Sequence, residues 1–344
     1  MSAVDLLQPL RQHGPPAATV GLADDVIERF AANDKTLGKA IADANTTFSN
    51  VVAQHADVLA MTEEDQVNHV QKSLLNFYPD DQVNPYVTLT ACGPWLVTLK
   101  GAVLHDSGGY GMIGLGHAPT SILQAMNQEQ AMANVMTPNL SQLAFFDLLE
   151  SEIGRSSSQP CPFSQFIALN SGSESVAMAA RLSDINAKQN TDPGGQHQNQ
   201  PIKMVALEGA FHGRTQRPAL ASHSTQAVYN AHLASFRDRD HLITVPPNDV
   251  EALNAVFTTA QKEQYFIEAV FMEPVMGEGN PGLAIGREFY DRARQLTLEH
   301  NALLLIDSIQ AGLRVHGVLS IVDYPGFENA IAPDMETYSK ALNA

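Results

Sequence analysis

Four short segments carry residue types that could do chemistry together. Asn170-Ser171-Gly172-Ser173-Glu174 sets small residues with unhindered N–H groups where a helix can open. A helix N-terminus leaves its first N–H groups unpaired at the positive end of the dipole, so this segment could cradle a phosphate. Gly172 would let the backbone come close, and Ser173 adds a hydroxyl; the plainer reading is an ordinary N-cap. Gly209–Thr215 offers the ring face of Phe211 for stacking and the guanidinium of Arg214 for a carboxylate. Its plainer reading is an aromatic turn beside a surface arginine. Asp307-Ser308-Ile309-Gln310 follows the most apolar run in the chain. A carboxylate there is expensive unless a cation or strong donors hold it, whether a ligand, a helix start or an arginine. Ser339-Lys340-Ala341 places a lysine just after another apolar run. Such an amine can give up its proton readily and act as a Schiff-base nucleophile, although a lysine taken at random is simply solvated.

Together the four point to one cofactor. Pyridoxal 5'-phosphate requires an amine, a carboxylate on its pyridine nitrogen, a phosphate cradle and an aromatic face. The carboxylate keeps the ring nitrogen protonated, which makes the ring an electron sink. Lys340, Asp307, Gly172 with Ser173, and Phe211 supply these in turn, each immediately after a β-prone run.

Those runs are what must position the side chains. Phe163–Leu169, Ile202–Leu207, Leu242–Val245, Ala269–Met272, Ala302–Ile306 and Met335–Tyr338 read as strands, with helices over Ser173–Lys188, Val250–Glu263 and Arg287–His300. That alternation predicts a mostly parallel central sheet with helices on both faces, whose ligand site lies beyond the carboxyl ends of its strands. Residues 1–90 read as an N-terminal helical segment, 91–117 as a short β-rich segment at the site entrance, and 118–344 as the large cofactor-binding domain. Two runs, Trp95–Leu99 and Ala102–His105, flank a turn at Lys100-Gly101. Gln189–Pro201 reads as a polar surface insertion in which His197 is solvated.

Composition narrows the partners. The 344 residues are 44% hydrophobic and 17% charged, with a net charge of −17, which argues against nucleic acid or an anionic membrane. Two cysteines, Cys92 and Cys161, make neither a disulfide scaffold nor a cysteine-rich metal site. No apolar run is long enough for a membrane span and no secretory signal is visible, so the expectation is a cytoplasmic protein.

The motifs, in order, resemble those of class III pyridoxal-phosphate-dependent aminotransferases of fold type I, the group of ornithine, acetylornithine and 4-aminobutyrate aminotransferases. The likeness runs from about Asn84 to Ala344. It includes Gly108-Gly109-Tyr110-Gly111, Asn170–Glu174, Phe211–Thr215, Glu273-Pro274-Val275-Met276-Gly277-Glu278-Gly279, Asp307–Leu313 and Pro333-Asp334…Ser339-Lys340-Ala341-Leu342. The resemblance implies that Lys340 bonds the cofactor and later shuttles the proton, and that Asp307 pairs with the pyridinium. It puts Gln310 on the ring hydroxyl, Phe211 and Ile309 on the two ring faces, and Ser171, Gly172 and Ser173 at the phosphate. His212 joins the cofactor-binding group, Glu273 lies behind it, and Tyr110, Arg214 and Glu278 face the substrate. The implied reaction moves an amino group from an amine or ω-amino acid to a 2-oxo acid, in a homodimer when full length.

The sequence departs from the family pattern in places. Ser308 stands where a glutamate usually follows the pyridinium-pairing Asp, and Met276 where many relatives carry Gln. The segment between Asp307 and Lys340 is longer, around Val322–Ile331. The chain stops four residues after Lys340, whereas relatives continue through an antiparallel strand and a C-terminal small domain. These 344 residues are therefore expected to be part of a longer protein, with little transaminase activity alone. Three other readings remain open: another reaction on the same cofactor, such as aminomutase, racemase or decarboxylase chemistry; an inactive truncated relative; and a nicotinamide-dependent oxidoreductase. The last rests on Gly109-Tyr110-Gly111-Met112-Ile113-Gly114, whose strand–turn–helix context is poor because Gly116 and Pro119 interrupt it.

Overall fold

The computed structural model describes residues 1–76, 80–108, 112–129, 136–157, 159–237 and 239–342. They form two compact units, Met1–Glu129 and Gln130–Asn343. Tyr110 and the glycines on either side of it lie outside the described residues.

In the first unit, apolar residues recur at helical spacing and fold into α1 (Ala3–Arg11), α2 (Asp24–Ala31), α3 (Lys35–Gln54), α4 (Ala56–Leu59) and α5 (Glu63–Gln71). The longest, α3, starts at Asp34, whose carboxylate accepts from the Thr36 and Leu37 N–H groups. It buries Leu37, Ala40, Ile41, Ala44 and Phe48 along one face. That face packs on an antiparallel sheet of β1 (Thr88–Cys92), β2 (Trp95–Thr98) and β3 (Val103–His105). The turn between β2 and β3 falls at Lys100-Gly101, where the Gly101 N–H donates to the Thr98 carbonyl at 2.9 Å. A short helix, α6 (Thr120–Met126), ends the unit.

The second unit is the one that builds the candidate site. Helices α7 (Leu140–Glu152) and α8 (Gly172–Thr191) lead into β4 (Ile202–Leu207). Then come α9 (Gln216–Ala221), α10 (His223–His232), β5 (Leu242–Val245), α11 (Val250–Glu263), β6 (Phe266–Met272), α12 (Arg287–Glu299), β7 (Leu303–Asp307) and β8 (Met335–Thr337). The five strands pair in the order β5-β4-β6-β7-β8, all parallel. Every residue of β6 is buried, as a parallel strand covered on both faces requires. Asp334, just ahead of β8, accepts from both terminal nitrogens of Arg294 at 2.7 and 3.1 Å and from the Leu304 N–H at 2.7 Å. This pins the start of the outer strand to α12 and β7. The long segment before it turns at Ile321–Asp323, where the Asp323 carboxylate accepts from the N–H groups of Gly154 and Ser156.

Two expectations need correction. Phe163–Leu169 forms no strand: Ile167 and Leu169 are exposed, and no described strand pairs with the run. A β-prone run without a neighbour has nothing to satisfy its backbone. His197, in the polar insertion, is half-buried, its ring centroid 4.7 Å from that of Phe266 and its Nε2 sealed from solvent. The insertion folds back through His197 N–H to the Asn190 carbonyl at 2.8 Å, and this carries the imidazole inward.

Candidate active site

β7 and β8 run side by side with Asp307 opposite Thr337, so the carboxylate and the lysine three residues beyond leave the sheet from neighbouring strands. Asp307 is 4% exposed, and donors meet its carboxylate on both oxygens. Oδ2 lies 2.9 Å from Nδ1 of the buried His212, while Oδ1 accepts from the Ile309 N–H at 3.1 Å and the Thr337 hydroxyl at 3.5 Å. A carboxylate oxygen has two lone pairs, so Oδ2 can accept a second donor beside His212.

Lys340 donates from Nζ to Gln310 Oε1 at 2.6 Å. Burial pulls its amine below the ordinary lysine range, against the opposing pull of the Asp307, Glu273 and Glu278 carboxylates. Gln310 is held in turn by a close backbone approach. A Cβ at Gly277 would lie 2.5 Å from the Gln310 Oε1, so a side chain there would push the Gln310 amide out of this position.

Glu273 follows β6 and is 4% exposed. Its two oxygens accept from the Phe211 N–H at 3.0 Å and the Gly277 N–H at 2.9 Å. It thus ties the aromatic loop to the glycine turn beneath Gln310. Burial raises its carboxyl to about 7, opposed first by His212.

The phosphate-cradle residues adjoin the same group. Ile309 packs on Gly172, where a Cβ would stand 2.8 Å from the isoleucine Cδ1. The Ser173 hydroxyl accepts weakly from the Arg214 N–H at 3.4 Å. The Gly172 and Ser173 N–H groups belong to the first turn of α8, with no carbonyl behind them. Ser171 differs from its companions: its hydroxyl caps α8 by accepting from the Glu174 N–H at 3.2 Å, so the N-cap reading holds for that side chain. At the half-exposed rim, Arg214 lies 3.7 Å from Glu278 and 5.2 Å from the centroid of the Phe211 ring.

Ser171–Ser173, Phe211, His212, Arg214, Glu273, Glu278, Asp307, Ile309, Gln310 and Lys340 therefore converge through shared contacts. Sequence reasoning missed Thr337 and Gly277, and it also missed Glu336, a carboxylate inside the apolar run that precedes Lys340. That charge in an otherwise apolar strand was the available signal. Among the described residues, no cluster of three or more His, Cys, Asp or Glu is arranged to hold a metal.

The residues fit pyridoxal phosphate. Asp307 keeps an acceptor position for a protonated ring nitrogen, Lys340 is an amine held below its usual range, and a helix start presents unpaired N–H groups next to Ile309. The fold is that of a fold type I transferase. The class-III aminotransferase profile matches residues 77–344, and the chain belongs to that family. Class III aminotransferases use pyridoxal phosphate.

The chain is 29% identical over 258 residues to acetylornithine aminotransferase of Mycolicibacterium smegmatis, covering 72% of this chain and 57% of that protein. Its fold superposes on ornithine aminotransferase from Toxoplasma gondii with a TM-score of 0.63 at 19% identity, over 85% of this chain and 63% of the other. For acetylornithine aminotransferase from Elizabethkingia anophelis the score is 0.58 at 21% identity, over 81% and 62%. The chain thus spans 57–63% of the length of these relatives.

Proposed function

We propose that the protein to which this chain belongs is an aminotransferase that moves an amino group from an amine or ω-amino acid to a 2-oxo acid. The pairing of Asp307 and Lys340 at the ends of adjacent parallel strands carries this reading, because those two groups must grip opposite sides of one small ring. Pyridoxal phosphate, when bound, supplies an electron sink for the bond broken at the substrate carbon. Lys340 is the residue that bonds it and then moves the substrate proton, a task its lowered pKa favours by keeping the amine neutral nearer to working pH. Asp307 holds the ring nitrogen, with His212 fixing the orientation of its carboxylate. Ile309 and Phe211 enclose the ring, and the first turn of α8 takes the phosphate. Arg214 receives a substrate carboxylate at the rim, with Glu278 as its alternative partner.

A homodimer in the cytoplasm is part of the same reading. The dimer is supported by the apolar residues that α7 leaves exposed, Leu140, Leu143 and Leu148.

The test is a visible spectrum of the chain mixed with pyridoxal phosphate, followed by titration with candidate amines. The expected result is a yellow band that bleaches with an amine donor and is absent from Lys340→Ala. A band of equal strength in Lys340→Ala would refute the assignment.

A further inference from the structure

Behind the Asp307–Lys340 pair lies a second carboxylate that the chemistry above does not use. Side chains alternate along a strand, so Glu336 faces away from Thr337 and from the Asp307 oxygen that Thr337 meets. Its carboxylate gathers donors from two other segments. The Ser308 hydroxyl and the Ile321 N–H both donate to Oε1, the latter at 3.0 Å, and the Ser320 hydroxyl donates to Oε2. Ser308 is 1% exposed and is the residue next to Asp307. A serine there is short enough to receive a carboxylate from the neighbouring strand.

β8 has three residues and pairs with β7 alone among the described strands. So short a ladder fixes its own register weakly, and Lys340 follows three residues later. Glu336 adds ties at the one level where β8 stands beside the corner carrying Asp307, Ile309 and Gln310. Together with the Asp334 carboxylate at the start of β8 and the Thr337 hydroxyl on Asp307, this is one of three side-chain links that tie β8 to β7, and the one that reaches Ser308. Burial also raises the Glu336 carboxyl to about 7, which marks how fully it is enclosed.

We propose that Glu336 is a positioning residue: by gripping Ser308 on the far face of the sheet it sets how Asp307 and Gln310 stand toward Lys340. The inference rests on the reading of Lys340 and Asp307 as cofactor ligands. It separates two roles that one carboxylate could combine, since the Ser308 arm touches the site and the Ser320 arm only anchors a turn.

The experiment compares Ser308→Ala, Ser320→Ala, Glu336→Gln and Glu336→Leu in the 344-residue chain. Pyridoxal phosphate binding is followed by its visible circular dichroism, and folding by urea. Ser308→Ala and Glu336→Leu are expected to weaken cofactor binding about tenfold and to change the dichroic band, the size set by losing a charge-assisted hydrogen bond. Glu336→Gln should bind more tightly than Glu336→Leu and keep the wild-type band, because its amide oxygen still accepts from Ser308 and Ile321, though without the charge. Ser320→Ala should lower the urea midpoint and leave the band alone. Ser308→Ala with wild-type affinity and band, or Ser308→Ala and Ser320→Ala acting alike on both readouts, would overturn the inference. If the wild-type chain gives no Lys340-dependent band, the aminotransferase reading itself fails and the positioning role falls with it.

Discussion

Replacing Gly172 by alanine sets two effects against each other. Alanine stiffens the start of α8 and relieves the chain entropy of glycine, a gain of about 0.5–1 kcal/mol at a helical position. The new methyl, however, would stand 2.8 Å from Ile309 Cδ1, 3.0 Å from its Cγ2 and 3.3 Å from its Cγ1. Moving Cδ1 alone would not clear the site, because Cγ2 belongs to the β-branch and cannot swing away without turning χ1. Overpacking of this kind costs roughly 1–3 kcal/mol. The expected net loss is therefore about 0–2.5 kcal/mol, the difference between those two ranges.

In an Ile309→Ala background all three contacts disappear. The same Gly172→Ala change should then be neutral or stabilising by up to about 1 kcal/mol. The sign reversal amounts to a coupling of about 1–3 kcal/mol between the two sites. Urea unfolding of wild type, both single variants and the double variant measures it, provided the denaturant slope stays constant across the four. An equal shift in both backgrounds would refute the claim that Ile309 is what keeps residue 172 without a side chain.

Other expectations concern the buried polar groups. His212→Phe removes the donor at Asp307 Oδ2 and leaves that oxygen with no partner among the described residues, which should cost about 1–3 kcal/mol by urea and weaken pyridoxal phosphate binding. Unchanged stability and binding would show that Asp307 does not depend on His212. Glu273 has a folded pKa raised from 4.5 to about 7, so the folded state holds its proton where the unfolded state has lost it. Its contribution to stability is fully present below pH about 4.5 and is lost as pH rises toward 7, a swing of the order of 3 kcal/mol. Wild type compared with Glu273→Gln should therefore lose relative stability across that window; a difference that stays flat, or that grows with pH, would contradict the burial of this carboxyl.

The sheet was largely legible because parallel strands covered on both faces show themselves as short apolar runs. β4 and β5 fall where periodicity places them, and β6 to β8 differ only at their ends. Once the strands are located, the residues after them follow from the geometry of any such sheet, which is why Asp307 and Lys340 stood out. Phe163–Leu169 shows the limit. Its composition is that of a strand, but strand formation depends on a neighbour that composition does not reveal. The contact between Gly172 and Ile309 was equally invisible, since it joins residues distant in sequence through the shape of one side chain. Glu336 was overlooked because the run around it looked apolar in aggregate, although a single charge inside such a run has to be answered by partners somewhere.

The pairing of β7 with β8 has a consequence of its own. Lys340 follows β8, and Asp307 ends β7. A molecule tethered beyond the first and clasped by the second would rivet the two strands together, reinforcing a ladder of three residue pairs. Coenzyme loading and the seating of β8 on β7 are then a single equilibrium, in which the loaded form opens that ladder less often than the form without coenzyme.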